Sequence, residues 1–232
     1  MIPLQDINPS RTRPYITWLF IAINVLVFLL ELLLDAMGYL DLLIYTAGVV
    51  PADITGSPFS GQLLTLFTSM FLHGGWTHLL SNMLYLWVFG DNVEDRMGHL
   101  RFLAFYLLGG VAAAGAQIII APHSQVPMVG ASGAIAAVLG AYIVEYPKAR
   151  VRSLLLLGYF IRFINVPAIL VLGIWFVLQF FNGFLSLSAM NMGGVAYFAH
   201  IGGFIAGLLL IKPFTIGRPK AYYWDIQDPF RS

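Results

Sequence analysis

Cysteine is absent from the 232-residue chain, so disulfides and thiol chemistry are excluded and the redox compartment stays open. Charge is almost as scarce. Asp, Glu, Lys and Arg make up 10% of the residues, where soluble domains run near a quarter. The stretches 36–75, 121–130 and 187–193 contain no lysine or arginine at all. No H-E-x-x-H occurs, so a zincin-type metal site is not expected, and no cofactor motif stands out. Internal repeats are missing too, which disfavours an inverted-repeat transporter. The net charge of +1 gives no reason to expect nucleic-acid binding.

What remains is apolar. Hydrophobic residues make up 59% of the chain and the mean hydropathy is +0.82, a membrane composition. A bilayer core takes about 20 apolar residues per helix. Six such runs are expected, at roughly 16–34, 76–92, 100–120, 131–146, 166–186 and 194–212. The fold class is therefore all-α, a polytopic membrane bundle forming one domain over 1–232, with 213–232 as a tail. The first run lacks a small-residue cleavage site and reads as a retained span. All twelve Lys and Arg residues fall before the first run, in or at the border of alternate connections, or at and after the end of the sixth. By the positive-inside rule both termini are cytoplasmic, in a plasma or inner membrane. The long outside loop holds "YTAGVVPADI" and "GQLLTLFTSMFL", runs too short to span that suit interfacial helices.

Polar residues inside spans are costly, so each asks for a reason. His78 and Asn82 are four residues apart on one face of the second span, near its outer end. His200 lies roughly 9 Å below the outer end of the sixth span, and Ser132 opens the short fourth span from the same side. Taken singly, a serine beside glycine packs, a lone histidine bonds a carbonyl, and asparagine joins helices. Their convergence on one depth and one side favours chemistry. A serine activated by a histidine base performs acyl transfer, with His200 as that base. His78, Asn82 and the Ser132 N–H would serve as oxyanion donors. Gly130 and Gly133 let backbone and substrate approach closely. No acidic residue is expected at this depth, so a Ser–His dyad is favoured over a triad.

The motifs carrying these residues resemble those of the rhomboid family of intramembrane serine proteases, over residues 10–212. "GASG" around Ser132 is similar to the family's G-x-S-G, and "AHIGGFIAG" to its A-H-x-x-G-x-x-x-G. "HGGWTHLLSN" is similar to H-x-x-x-x-H-x-x-x-N, and "GDNVEDRMG" to G-x-x-x-E-x-x-x-G. The resemblance implies Ser132 and His200 as catalytic pair, His78, Asn82 and Gly130 in oxyanion and supporting roles, His73 as a further support, and Glu94 as structural. It implies a six-span, prokaryotic-type endopeptidase that cuts transmembrane helices of other proteins, with the bilayer and transmembrane protein substrates as its partners. Two positions depart from the pattern. Leu64 and Thr65 stand where many members carry Trp-Arg, and Ala136 stands where an aromatic often lies under the histidine.

Three other readings compete. A non-cleaving rhomboid-like binder would lack the serine or the histidine, and both are present. A transporter or channel would need charge within its spans. A metal centre built from His73, His78 and His200 would lack a carboxylate base. The loop "NGFLSLSAMNMGGVAYFAH", with Gly183, Gly193 and Gly194 as hinges, suits a mobile cap over a cavity open to the outside.

Overall fold

The computed structural model describes residues 1–8, 10–57, 61–158, 160–187 and 194–218. A strand β1 (Ile2–Asp6) precedes a long helix α1 (Tyr15–Ala36). The following loop is built from short helices, α2 (Leu40–Ala47), α3 (Pro51–Gly56) and α4 (Thr65–Thr68), the last flanked by 3₁₀ turns. Then come α5 (Trp76–Met97), α6 (His99–Ile120) and α7 (Ser132–Glu145). A hairpin of β2 (Arg150–Leu157) and β3 (Phe160–Pro167) leads into α8 (Ala168–Ser186) and α9 (Tyr197–Thr215).

The six long elements match the six apolar runs to within a few residues at each end. The last helix passes the expected end at 212 and carries Pro213 inside its final turn. Four of them, α1, α6, α8 and α9, are long and apolar enough to cross a bilayer. α5 is equally long but ends in the charged "DNVEDRM". α7 has only 14 residues, or about 21 Å of helix, against roughly 30 Å of hydrocarbon. It can be short because it is central. Every residue from Ala134 to Tyr142 is buried.

Close approach around α7 follows from small residues. A Cβ at Gly203 would collide with the Gly133 carbonyl, one at Gly207 with the Ala137 carbonyl, and one at Gly140 with the Phe204 carbonyl. α7 and α9 therefore touch backbone to backbone, the small-xxx-small mode of membrane helices.

The sheet was not expected. β1, β2 and β3 form an antiparallel sheet in that order, at the end of the bundle where α1 and α8 begin. Val151 and Ser153 are fully buried while Arg150 and Arg152 are exposed, the alternation of a one-faced strand. β1 is fastened to the helices through Asp6, which accepts hydrogen bonds from Tyr142 Oη (2.7 Å) and Asn92 Nδ2 (2.6 Å). Burial pushes the Asp6 carboxyl up to about 7, against the lowering effect of the Tyr142 hydroxyl and the Asn8 backbone N–H.

At the same end Glu94, fully buried, accepts from the backbone N–H groups of Ile16 (2.9 Å) and Thr17 (2.7 Å) and from the Thr17 hydroxyl (2.7 Å). These are first-turn donors that α1 cannot satisfy itself, and no local side chain caps them. A carboxylate there also meets the positive end of the helix dipole.

Candidate active site

Three helix N-termini meet at the opposite end of the bundle. His78 is the third residue of α5, Ser132 the first of α7 and His200 the fourth of α9. Each N-terminus is held from outside its own helix. Gln117 of α6 accepts from the N–H groups of Phe198 (3.1 Å) and Ala199 (3.3 Å), which fixes the first turn of α9. The approach to α7 is pinned by a Val49–Met128 bridge and by Gly130 N–H donating to Ser69 O at 2.8 Å.

Ser132 Oγ lies 2.7 Å from His200 Nε2. His200 is 9% exposed, and its other ring nitrogen, Nδ1, lies 2.8 Å from Gln179 Oε1 of α8. The Trp175 ring, also on α8, sits 5.9 Å from the imidazole at a 36° tilt. Ala136 is fully buried and offers no ring, so α8 supplies the aromatic neighbour that α7 does not.

His78 faces the same space. Its Nδ1 accepts from the Gly74 N–H at 3.3 Å, so the neutral ring carries its proton on Nε2. Gly130, with φ of 128°, adopts a conformation that favours glycine, and a Cβ there would lie 2.7 Å from His78 Nε2. Asn82 is buried, and its Nδ2 has no hydrogen-bond partner among the described residues. Ser132, His200, His78, Asn82 and Gln117 all line one cavity of about 880 Å³, walled by the loops around Gly74, Val126 and Gly194. A second cavity of about 870 Å³ lies at the sheet end and contains no histidine.

His73 stands beside this group and not in the cavity lining. Its ring meets that of His78 edge-on at 5.1 Å, and both its ring nitrogens are buried without partners among the described residues. Burial first, and His78 second, push its pKa down to about 4, so the ring is neutral at pH 7.

One expectation fails here. An acid does lie at this end of the bundle: Glu31 of α1, buried, accepts from the His73 N–H at 3.0 and 3.2 Å. It anchors the outer loop at His73, while Leu64 in the same loop is 68% exposed. Thr68 adds a bond to the Ala47 carbonyl at 2.6 Å. Glu31 bonds a loop backbone, not the histidine base. Gln179 was missed at the sequence level, although a lone glutamine amid "AILVLGIWFVLQFF" was a visible signal. Of the expected cap, residues 188–193 lie outside the described residues. Among the described residues no cluster of His, Asp or Glu could hold a metal ion.

A helical membrane bundle with a serine–histidine pair beneath one of its ends defines the class. Residues 60–215 match the family model of the Rhomboid domain. The chain is 31% identical to the Rhomboid protease GluP of Bacillus subtilis (strain 168) over 209 residues, 90% of this chain and 36% of that protein. It is similar to RHOMBOID-like protein 5 of Arabidopsis thaliana, at 31% over 66% of this chain and 46% of that protein. Rhomboid-like protease 5 of Toxoplasma gondii is 33% identical over 71% of this chain and 18% of that protein. The chain thus spans less than half the length of each of these relatives. It belongs to the rhomboid family and is an integral membrane protein.

Proposed function

We propose that the chain is an intramembrane serine endopeptidase that hydrolyses peptide bonds in or near transmembrane helices of other proteins. The observation that carries this reading is the 2.7 Å contact between Ser132 Oγ and His200 Nε2, inside a cavity also lined by Asn82, whose amide nitrogen has no partner among the described residues. Ser132 Oγ attacks the scissile carbonyl as His200 Nε2 takes its proton. The tetrahedral oxyanion accepts from Asn82 Nδ2, His78 Nε2 and the Ser132 N–H at the N-terminus of α7. His200 then returns the proton to the leaving amine. Water, deprotonated by His200 in turn, releases the acyl group from Ser132.

All six long helices cross the bilayer in this reading, with α5 and α7 completing the four more apolar ones. The basic end, where the sheet and Arg96 lie, faces the cytoplasm together with both termini, and the cavity opens to the other side. The peptide bonds cut are those near the outer ends of substrate helices, where unwinding exposes a carbonyl.

The test is cleavage of a model transmembrane substrate by the purified chain in lipid vesicles, with fluorophosphonate labelling alongside. Wild type should cut and label, and Ser132→Ala should do neither. Labelling of a different serine, or cleavage by Ser132→Ala at the wild-type rate, would overturn the assignment.

A further inference from the structure

α9 brings His200 to the serine, but α8 holds its far side. Gln179 and Trp175 are four residues apart, on one face of α8, and both touch the imidazole. Gln179 is the single polar residue between Ala168 and Phe181, in an apolar helix most of whose surface is not buried in the bundle. An amide at that position is costly unless it bonds something inside the bundle. Its partner is the Nδ1 of His200, 2.8 Å from Oε1.

We infer that Gln179 is the positioning residue of the base, an uncharged third member behind Ser132 and His200. The inference rests on the reading of those two as nucleophile and base. An amide oxygen can only accept, so facing it Nδ1 must carry the ring proton. Nε2 is then left with its lone pair toward the Ser132 hydroxyl, the tautomer that a general base requires. Trp175 restricts the tilt of the ring while Gln179 fixes its rotation.

When Nε2 takes the serine proton, both ring nitrogens become donors. The Gln179 oxygen then continues to accept, now from an imidazolium. A carboxylate would stabilise that cation more, but an ionised side chain on a lipid-facing helix carries a large desolvation cost. The amide gives orientation with little charge. It also explains how the chain manages with Ala136 on α7, since Gln179 and Trp175 reach the ring from the neighbouring helix, beside the edge-on Tyr197 ring of α9 at 6.4 Å.

The test compares full-length wild type with Gln179→Leu, Gln179→Glu and Ser132→Ala. Cleavage of the model transmembrane substrate, fluorophosphonate labelling rate and thermal midpoint are measured from pH 5 to pH 9. Leucine fills similar space without an acceptor. Gln179→Leu should therefore lower kcat and the labelling rate by about 10²-fold with KM unchanged, short of the roughly 10⁴ lost where a charged orienting residue is neutralised. Gln179→Glu should restore labelling at alkaline pH and move the acidic limb of its rate–pH curve upward by about a unit, because a carboxylate favours the imidazolium. A residue that merely packs would leave that curve in place.

Labelling of Gln179→Leu at the wild-type rate would overturn the inference. So would a Gln179→Glu curve superimposable on wild type, or a folded Gln179→Glu protein silent at every pH. If Ser132→Ala is silent while Gln179→Leu is unaffected, the role of Gln179 fails and the nucleophile stands. If Ser132→Ala still labels, the proposed function itself fails.

Discussion

At the scale of the residue, the site is marked by a buried donor that has no partner among the described residues. A buried N–H left unpaired costs on the order of 1–3 kcal/mol, and Asn82 Nδ2 is such a group. In the proposed mechanism its partner arrives only with the oxyanion. Asn82→Ala should therefore lower kcat by about 10²–10³-fold while leaving the thermal midpoint unchanged or raised. Wild-type turnover by a folded Asn82→Ala protein would remove it from the oxyanion site. The legibility of these residues from sequence followed the backbone. Ser132, His78 and Asn82 could be found because helix spacing and depth place them without knowledge of neighbours. Gly130 could be found because the turn before Ser132 needs an unhindered backbone. The partners of Gln179 and Glu31 could not, because Gln179 acts across the α8–α9 pair and Glu31 on the loop backbone at His73, contacts that only the packed bundle reveals. The separation of 21 positions from Gln179 to His200 does not say which face of α8 turns toward α9.

At the scale of the element, hydropathy settles helix lengths because lipid demands internally satisfied backbone. That is why the six runs and the six long helices agree. The sheet escaped because its strands lie in connections that looked like basic loops. Exposed Arg150 and Arg152 alternating with buried Val151 and Ser153 was the period-two signal available. Glu94 ties these levels together, since one carboxylate caps α1 and accepts from His99 Nδ1 at 2.6 Å. Glu94→Ala strands the buried Thr17 N–H and hydroxyl and the Ile16 N–H beside them. It should destabilise the fold by about 3 kcal/mol, read as a lowered thermal midpoint. Fluorophosphonate labelling of the protein that remains folded should proceed normally, because the serine and histidine lie at the other end. Loss of labelling without loss of stability would mean that the two ends communicate.

At the scale of the whole molecule, the bundle has two chemically distinct ends. One gathers the sheet, Arg96 paired with Glu145, and Arg101 bonded to the carbonyls of Phe214 and Ile216. The other gathers three helix N-termini around Ser132 and is approached by loops without a single lysine or arginine. A net charge of +1 hides this division. Cationic loops resist translocation, so in the proposed orientation the same asymmetry sets the side on which the cavity opens. The absence of cysteine makes the orientation directly measurable, since one introduced thiol is the only one present. Gly56 is exposed with open space around its Cα, and Lys148 is exposed in the connection before the hairpin. In intact cells a membrane-impermeant maleimide should modify Gly56→Cys, whereas Lys148→Cys should react only after the membrane is broken. The reverse pattern would turn the molecule over. The proposed cleavage would then move to the inner ends of substrate helices, with the serine–histidine geometry untouched.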